Sequence, residues 1–221
     1  MFKIGVMLES FRLSLPESIN TAAELGVDGI QLYATGGETH FSKLRGAALC
    51  ELRNRLRDAG LDVAAVCGDF GGHGFQVAAE NPQRIDDTRR VIELARELDS
   101  RVVTTHVGVI PADSAHPRYA VMLEACREIG QFAARHDATL AIETGPEPAA
   151  VLGRFIARLG LGDAGGIGVN FDPANMILYG MGDPVAGLRL LAPYVMQIHV
   201  KDATASETEG EWGAEVPVGT G

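Results

Sequence analysis

The chain has 221 residues, 19 Lys+Arg against 29 Asp+Glu, and a formal net charge of −10. Its 46% hydrophobic and 22% charged content exclude a disordered chain. The acidic balance speaks against a nucleic-acid partner, which would want a basic face. Three cysteines without paired spacing make neither a disulfide framework nor a zinc knuckle. No apolar run approaches the roughly 18 residues of a membrane span, and residues 1–8 read as a strand rather than a signal peptide. A cytoplasmic protein is expected.

Short apolar runs alternate with longer stretches of helical period. The runs cover residues 3–8, 28–33, 61–67, 101–107, 139–143, 166–171 and 194–200. Each is nearly continuous in Val, Ile and Ala and bounded by polar residues or glycine, which is the signature of a parallel strand buried on both faces. Between them, Ser14 and Glu17 form a capping box before Ile19, Ala22 and Ala23, and Gly26 stops that helix. Asn81-Pro82 opens a helix with Ile85, Thr88, Val91, Ile92, Ala95 and Leu98 at spacings of three and four. His116-Pro117 opens another through Met122, Ala125, Cys126, Ile129, Phe132 and Ala133, and Asp183-Pro184 a short one with Val185, Leu188 and Leu191. The stretch 203–214, which holds Trp212, reads as a hairpin or a mobile loop.

Strand starts recur at a mean spacing of about 32 residues, the size of one βα unit. Strict alternation predicts a parallel sheet with crossover helices. No Gly-rich dinucleotide fingerprint follows the first strand, and ligand-type residues recur at many strand ends. Both favour a TIM (β/α)8-type barrel over an open doubly wound sheet. The reading is one domain over 1–221, truncated before the eighth strand, which roughly 40–60 further residues would complete.

Strand ends carry the chemistry. Glu9 and Tyr33, Cys67 and Asp69, His106, Glu143, Asp172, and His199 with Asp202 all fall toward one mouth. Glu143, Asp172 and His199 lie on three consecutive strand ends. Two carboxylates and an imidazole make a mixed O/N set suited to a divalent metal, with Mn²⁺ favoured and Mg²⁺, Co²⁺ or Zn²⁺ also fitting. Each has an ordinary reading as well: a surface or loop-capping Glu, an Asx turn or helix cap at Asp172-Pro173, a packed core histidine. Cys67 reads as core. The candidate substrate-binding residues are His106, Glu147, Asn175, Lys201 and Asp202.

Ala141-Ile-Glu143-Thr-Gly-Pro-Glu-Pro148, Val169-Asn-Phe-Asp172-Pro-Ala-Asn-Met176 and Ile198-His199-Val-Lys-Asp202 resemble the fifth, sixth and seventh strand motifs of the sugar phosphate isomerase/epimerase family, the xylose isomerase-like TIM barrels. Glu215-Val-Pro-Val-Gly-Thr-Gly221 resembles the segment before that family's last strand. The resemblance implies that Glu143, Asp172 and His199 bind the metal together with a Glu on the eighth strand. It also implies that Glu143 is one acid/base carboxylate and that missing Glu the other.

The implied function is a metal-dependent isomerase or epimerase of a sugar or sugar phosphate, moving a proton beside a carbonyl through an enediolate. The implied partner is a small carbohydrate, with neither nucleic acid nor membrane and with room for a homo-oligomer. The alternatives are a metal-dependent sugar-acid lyase or dehydratase, an endonuclease IV-like metallonuclease, and a barrel that binds without turnover. The nuclease pattern has His where Asn175 stands here.

Overall fold

The computed structural model describes residues 2–161, 165–208 and 210–221. Seven parallel strands carry the fold: β1 (Gly5–Met7), β2 (Gly29–Tyr33), β3 (Asp62–Cys67), β4 (Val102–Thr105), β5 (Thr139–Glu143), β6 (Ile167–Phe171) and β7 (Val195–Ile198). Between them lie α1 (Leu15–Glu24), α2 (Gly46–Asp58), α3 (Asn81–Glu97), α4 (Pro117–Arg135), α5 (Ala149–Leu159), α6 (Pro173–Leu178) and α7 (Pro184–Leu191). A short antiparallel hairpin, β8 (Asp202–Thr204) with β9 (Ala214–Val216), follows β7. The stretch read as hairpin or loop is therefore a hairpin.

The seven strands run in chain order, each parallel to the last. Local chemistry agrees with the sequence reading. Ser14 and Glu17 form the capping box at α1, with the Ser14 amide and hydroxyl donating to Glu17 Oε2 at 3.1 and 2.6 Å. Prolines open α3, α4 and α7 as expected. Observed strands match the apolar runs or are up to three residues shorter, the largest differences falling at β1, β4 and β7. After β7 the Lys201 amide folds back onto the His199 carbonyl, so the chain leaves the ladder after His199.

One side of each strand packs on the helices. Ile30, Leu32, Val66, Val103, Leu140 and Ile142 are buried there with Ile92, Ile129, Leu152 and Phe155. The other side curls inward. Gln197 of β7 donates to Gln31 of β2 at 2.6 Å, so strands five places apart in the sheet meet across the interior. The sheet is thus an open barrel of seven strands, TIM-barrel-like. Among the described residues β1 pairs with β2 alone and β7 with β6 alone. Ile4, Met196, Ile198 and Val200 are exposed along those two edges. No helix of the described residues is long and apolar enough to cross a membrane.

Candidate metal centre

Glu143 ends β5, Asp172 follows β6 and His199 follows β7. The parallel register sets Glu143 beside Asn170, and Asn170 beside Gln197. The His199 amide extends the ladder by donating to the Phe171 carbonyl at 2.9 Å. One ligand atom from each of Glu143, Asp172 and His199 lies within 4.8 Å of the other two. His199 Nδ1 is 3.5 Å from Glu143 Oε1 and 3.7 Å from Asp172 Oδ2.

The two oxygens of Asp172, which is 0% exposed, have separate tasks. Oδ1 accepts from the Asn175 amide at 3.0 Å and caps α6. Oδ2 has no hydrogen bond of good geometry, although the Lys201 ammonium stands 3.1 Å away. Held by one ammonium and by no hydrogen bond of good geometry, this buried carboxylate oxygen would gain from a coordinated cation. The donor set fits a divalent metal. The helix-cap reading of Asp172 is met by Oδ1, which leaves Oδ2 turned toward His199 and Lys201.

Electrostatics hold the site together. Burial disfavours charge on His199, but hydrogen bonding and attraction from Asp172 and Glu143 prevail and push it up to about 9. Burial likewise opposes the Lys201 ammonium, and Asp172 with Glu215 outweigh it, so its pKa is raised. For Asp172 burial acts against ionisation, and His199, the Asn175 amide and Lys201 overcome it and hold the carboxyl below its ordinary range. A metal arriving here must displace the His199 proton. Gln31 Oε1 lies 3.3 Å from His199 Nε2. Accepting an N–H there leaves Nδ1 to face the carboxylates, the arrangement by which outer residues orient an imidazole ligand.

A family model described as "Xylose isomerase-like TIM barrel" matches residues 19–221. The chain belongs to that family. Among solved structures it is similar to a xylose isomerase domain protein from Planctomyces limnophilus, at 29% identity and a TM-score of 0.86, over 100% of this chain and 82% of that one. A xylose isomerase-like TIM barrel protein from Mycobacterium smegmatis, in complex with magnesium, is 17% identical with a TM-score of 0.75, over 100% and 84%. A D-psicose 3-epimerase, solved in the presence of D-fructose, is 20% identical with a TM-score of 0.72, over 90% and 72%. Comparison with curated proteins finds no match. As a xylose isomerase-like barrel, the chain gathers its candidate ligands at the C-terminal strand ends, where barrels of this architecture place their chemistry.

Around the three candidate ligands the sequence-predicted residues fall into different places. Asn175 Nδ2 donates to Glu143 Oε1 at 2.9 Å, and its Oδ1 accepts from Lys201 at 3.2 Å, so both join the cluster. His106 stands at its edge: Nδ1 is 3.0 Å from Asp69 Oδ2, and Nε2 is 3.9 Å from Glu143 Oε1. Burial opposes its charge, but Asp69 and Glu143 raise its pKa. Glu147 is buried, accepts from the Ile110 amide at 3.4 Å, and is pushed up to about 7 by burial. Asp202 turns to the backbone, accepting from the Ala203, Gly219, Thr220 and Gly221 amides. Cys67 is buried, and burial pushes its thiol up to about 11.

Sequence reasoning passed over Gln31, Asn170 and Gln197. Asn170 Nδ2 donates to Glu143 Oε2 at 3.1 Å, and Gln31 braces both Gln197 and His199. Their signal was a carboxamide in the middle of an otherwise apolar strand, a position that must face the lumen to keep its hydrogen bonds.

Proposed function

We propose that the protein is a divalent-metal-dependent isomerase or epimerase of a sugar or sugar phosphate, working by proton transfer at a carbon beside a carbonyl. The observation that carries this reading is the convergence of Glu143, Asp172 and His199 within 4.8 Å, with Asp172 Oδ2 buried and without a hydrogen bond. Those three side chains would hold the metal, Mn²⁺ being favoured over Mg²⁺, Co²⁺ or Zn²⁺ by the mixed O/N set without thiolate. When bound, it supplies Lewis-acid stabilisation of the negative charge that develops on the substrate oxygen.

The chain's own residues do the rest. Glu143 is the acid/base carboxylate, and the Asn170 and Asn175 amides each donate to one of its oxygens and so fix its plane. His106, held by Asp69, turns Nε2 toward Glu143 and offers an N–H to a substrate oxygen. Asn175 and Lys201 line the α6 side of the substrate's place, Asn175 holding Glu143 and Lys201 spanning Asp172, Asn175 and Glu215. Glu147, part-protonated near neutral pH, and Asp202, through the hairpin it braces, complete the substrate-binding set.

Solvent-deuterium exchange tests this. Metal-loaded protein is incubated in D₂O with five- and six-carbon ketoses and their phosphate esters, and NMR follows label entering beside the carbonyl. Exchange is expected with the Mn²⁺-loaded parent and is lost in Glu143→Gln. Mn²⁺ binding that is unchanged in His199→Ala, or the absence of exchange in protein that binds Mn²⁺, would overturn the proposal.

A further inference from the structure

Lys201 brings an ammonium up against the candidate ligand set. Its Nζ lies 3.1 Å from Asp172 Oδ2, 3.2 Å from Asn175 Oδ1 and 3.3 Å from Glu215 Oε2. The first of these oxygens also faces His199 Nδ1 at 3.7 Å. Because Oδ1 of Asp172 is taken by the α6 cap, Oδ2 is the oxygen this residue has left to offer an ion. One buried oxygen thus stands between two claimants, the lysine and a metal. In the metal-free protein the ammonium also offsets the repulsion between Glu143 and Asp172, whose carboxylates converge with His199 within 4.8 Å.

The remaining partners of Lys201 lie outside the three candidate ligands. Glu215 sits on β9, opposite Ala203 of β8, and its side chain is 61% exposed. Asn175 Oδ1 belongs to an amide whose Nδ2 is already committed to Glu143 and to the Thr144 carbonyl. An ammonium that lets go of Asp172 therefore keeps a carboxylate and an amide oxygen, and is not stranded as an unpaired charge. A lysine suits such an exchange. Its compact charge rides on a flexible four-carbon stem, where a guanidinium fork would fix one geometry. The hairpin that carries Glu215 is itself fastened. The Gly213 amide donates to the Leu178 carbonyl at 2.9 Å, and Asp202 gathers the Gly219, Thr220 and Gly221 amides.

We infer that Lys201 is an internal counter-ion that yields Asp172 Oδ2 to an incoming divalent cation and is then retained by Glu215 and Asn175. This rests on the divalent-metal reading above and adds how that site is regulated. A dication and an ammonium repel each other across one oxygen. Metal affinity is therefore the balance of an exchange. Lys201 lowers it, and Glu215, by receiving the ammonium, restores part of it.

Calorimetry measures Mn²⁺ binding to the parent, Lys201→Met, Lys201→Gln, Glu215→Gln and the Lys201→Met, Glu215→Gln double variant. Urea unfolding is followed with and without Mn²⁺. Both Lys201 variants are expected to bind Mn²⁺ roughly tenfold more tightly than the parent, or tighter still. Without Mn²⁺ they are expected to unfold at lower urea than the parent, and with saturating Mn²⁺ at equal or higher urea. Glu215→Gln is expected to weaken Mn²⁺ binding about fivefold or more in the parent, and less than about twofold beside Lys201→Met, where no ammonium needs a second place. Unchanged or weaker Mn²⁺ binding in both Lys201 variants overturns the inference. So does a Glu215→Gln effect of the same size in the two backgrounds. Mn²⁺ binding without deuterium exchange into any ketose would overturn the isomerase reading and leave this inference standing, whereas a parent that binds no Mn²⁺ would overturn both.

Discussion

Glu147 keeps a carboxyl group inside the protein with one backbone amide for company. Burial raises it to about 7, against the ordinary 4.5, with the Ile110 amide and His106 pulling the other way. Between those two values the folded chain retains a proton that the unfolded chain has lost. Stability is therefore full below about pH 4.5 and declines as pH rises to about 7. Glu147→Gln keeps an acceptor for Ile110 and has nothing to titrate. Unfolding in urea should find the variant similar to the parent at pH 4 and roughly 1–3 kcal/mol more stable at pH 8; curves that stay parallel across this range would show that folding leaves the carboxyl's pKa where it is in the unfolded chain. At this scale the three candidate ligands were legible because charged or imidazole groups at the ends of apolar runs stand out. Gln31 and Asn170 were not, since what makes them matter is a partner on another strand, 166 residues away for Gln31 and Gln197.

The short helix α6 owes its start to a residue that also belongs to the candidate ligand set. Asp172 Oδ1 caps it while Oδ2 faces His199 and Lys201. The two tasks can be separated by substitution. Asp172→Asn retains a capping oxygen and loses the charge, so Mn²⁺ affinity should fall at least tenfold while the fold persists. Asp172→Ala loses both and should be about 1 kcal/mol less stable than the Asn variant in denaturant unfolding. Equal stability of the two would mean that the cap contributes nothing. Helices opened by X-Pro pairs, such as α3 and α7, were readable locally because cap and proline are adjacent in sequence. The hairpin β8–β9 was ambiguous because its fixing contacts are distant. They are the Leu178 carbonyl and the 219–221 amides gathered by Asp202.

Across the whole molecule the alternation of apolar runs and helical segments was enough to reveal parallel strands in chain order, since strands covered on both faces have no polar side to hide them. How far the sheet curls was not readable, because it follows from side chains meeting across the lumen. Among the described residues the outer strands β1 and β7 lack a second neighbour, and Ile4, Met196, Ile198 and Val200 are exposed beside them. Edges of this kind template pairing with other chains. Sedimentation velocity of this 221-residue chain should show association that grows with protein concentration, reduced in an Ile198→Lys, Val200→Lys double variant. A parent that stays monomeric throughout would show the edges to be self-protected. Those edge residues bracket His199, and within three residues the same stretch becomes the strand whose partner follows Trp212. With Asp202 fastening the far end, the imidazole and the hairpin that carries Trp212 lie on one continuous stretch of chain, so a load on the hairpin is passed back to His199.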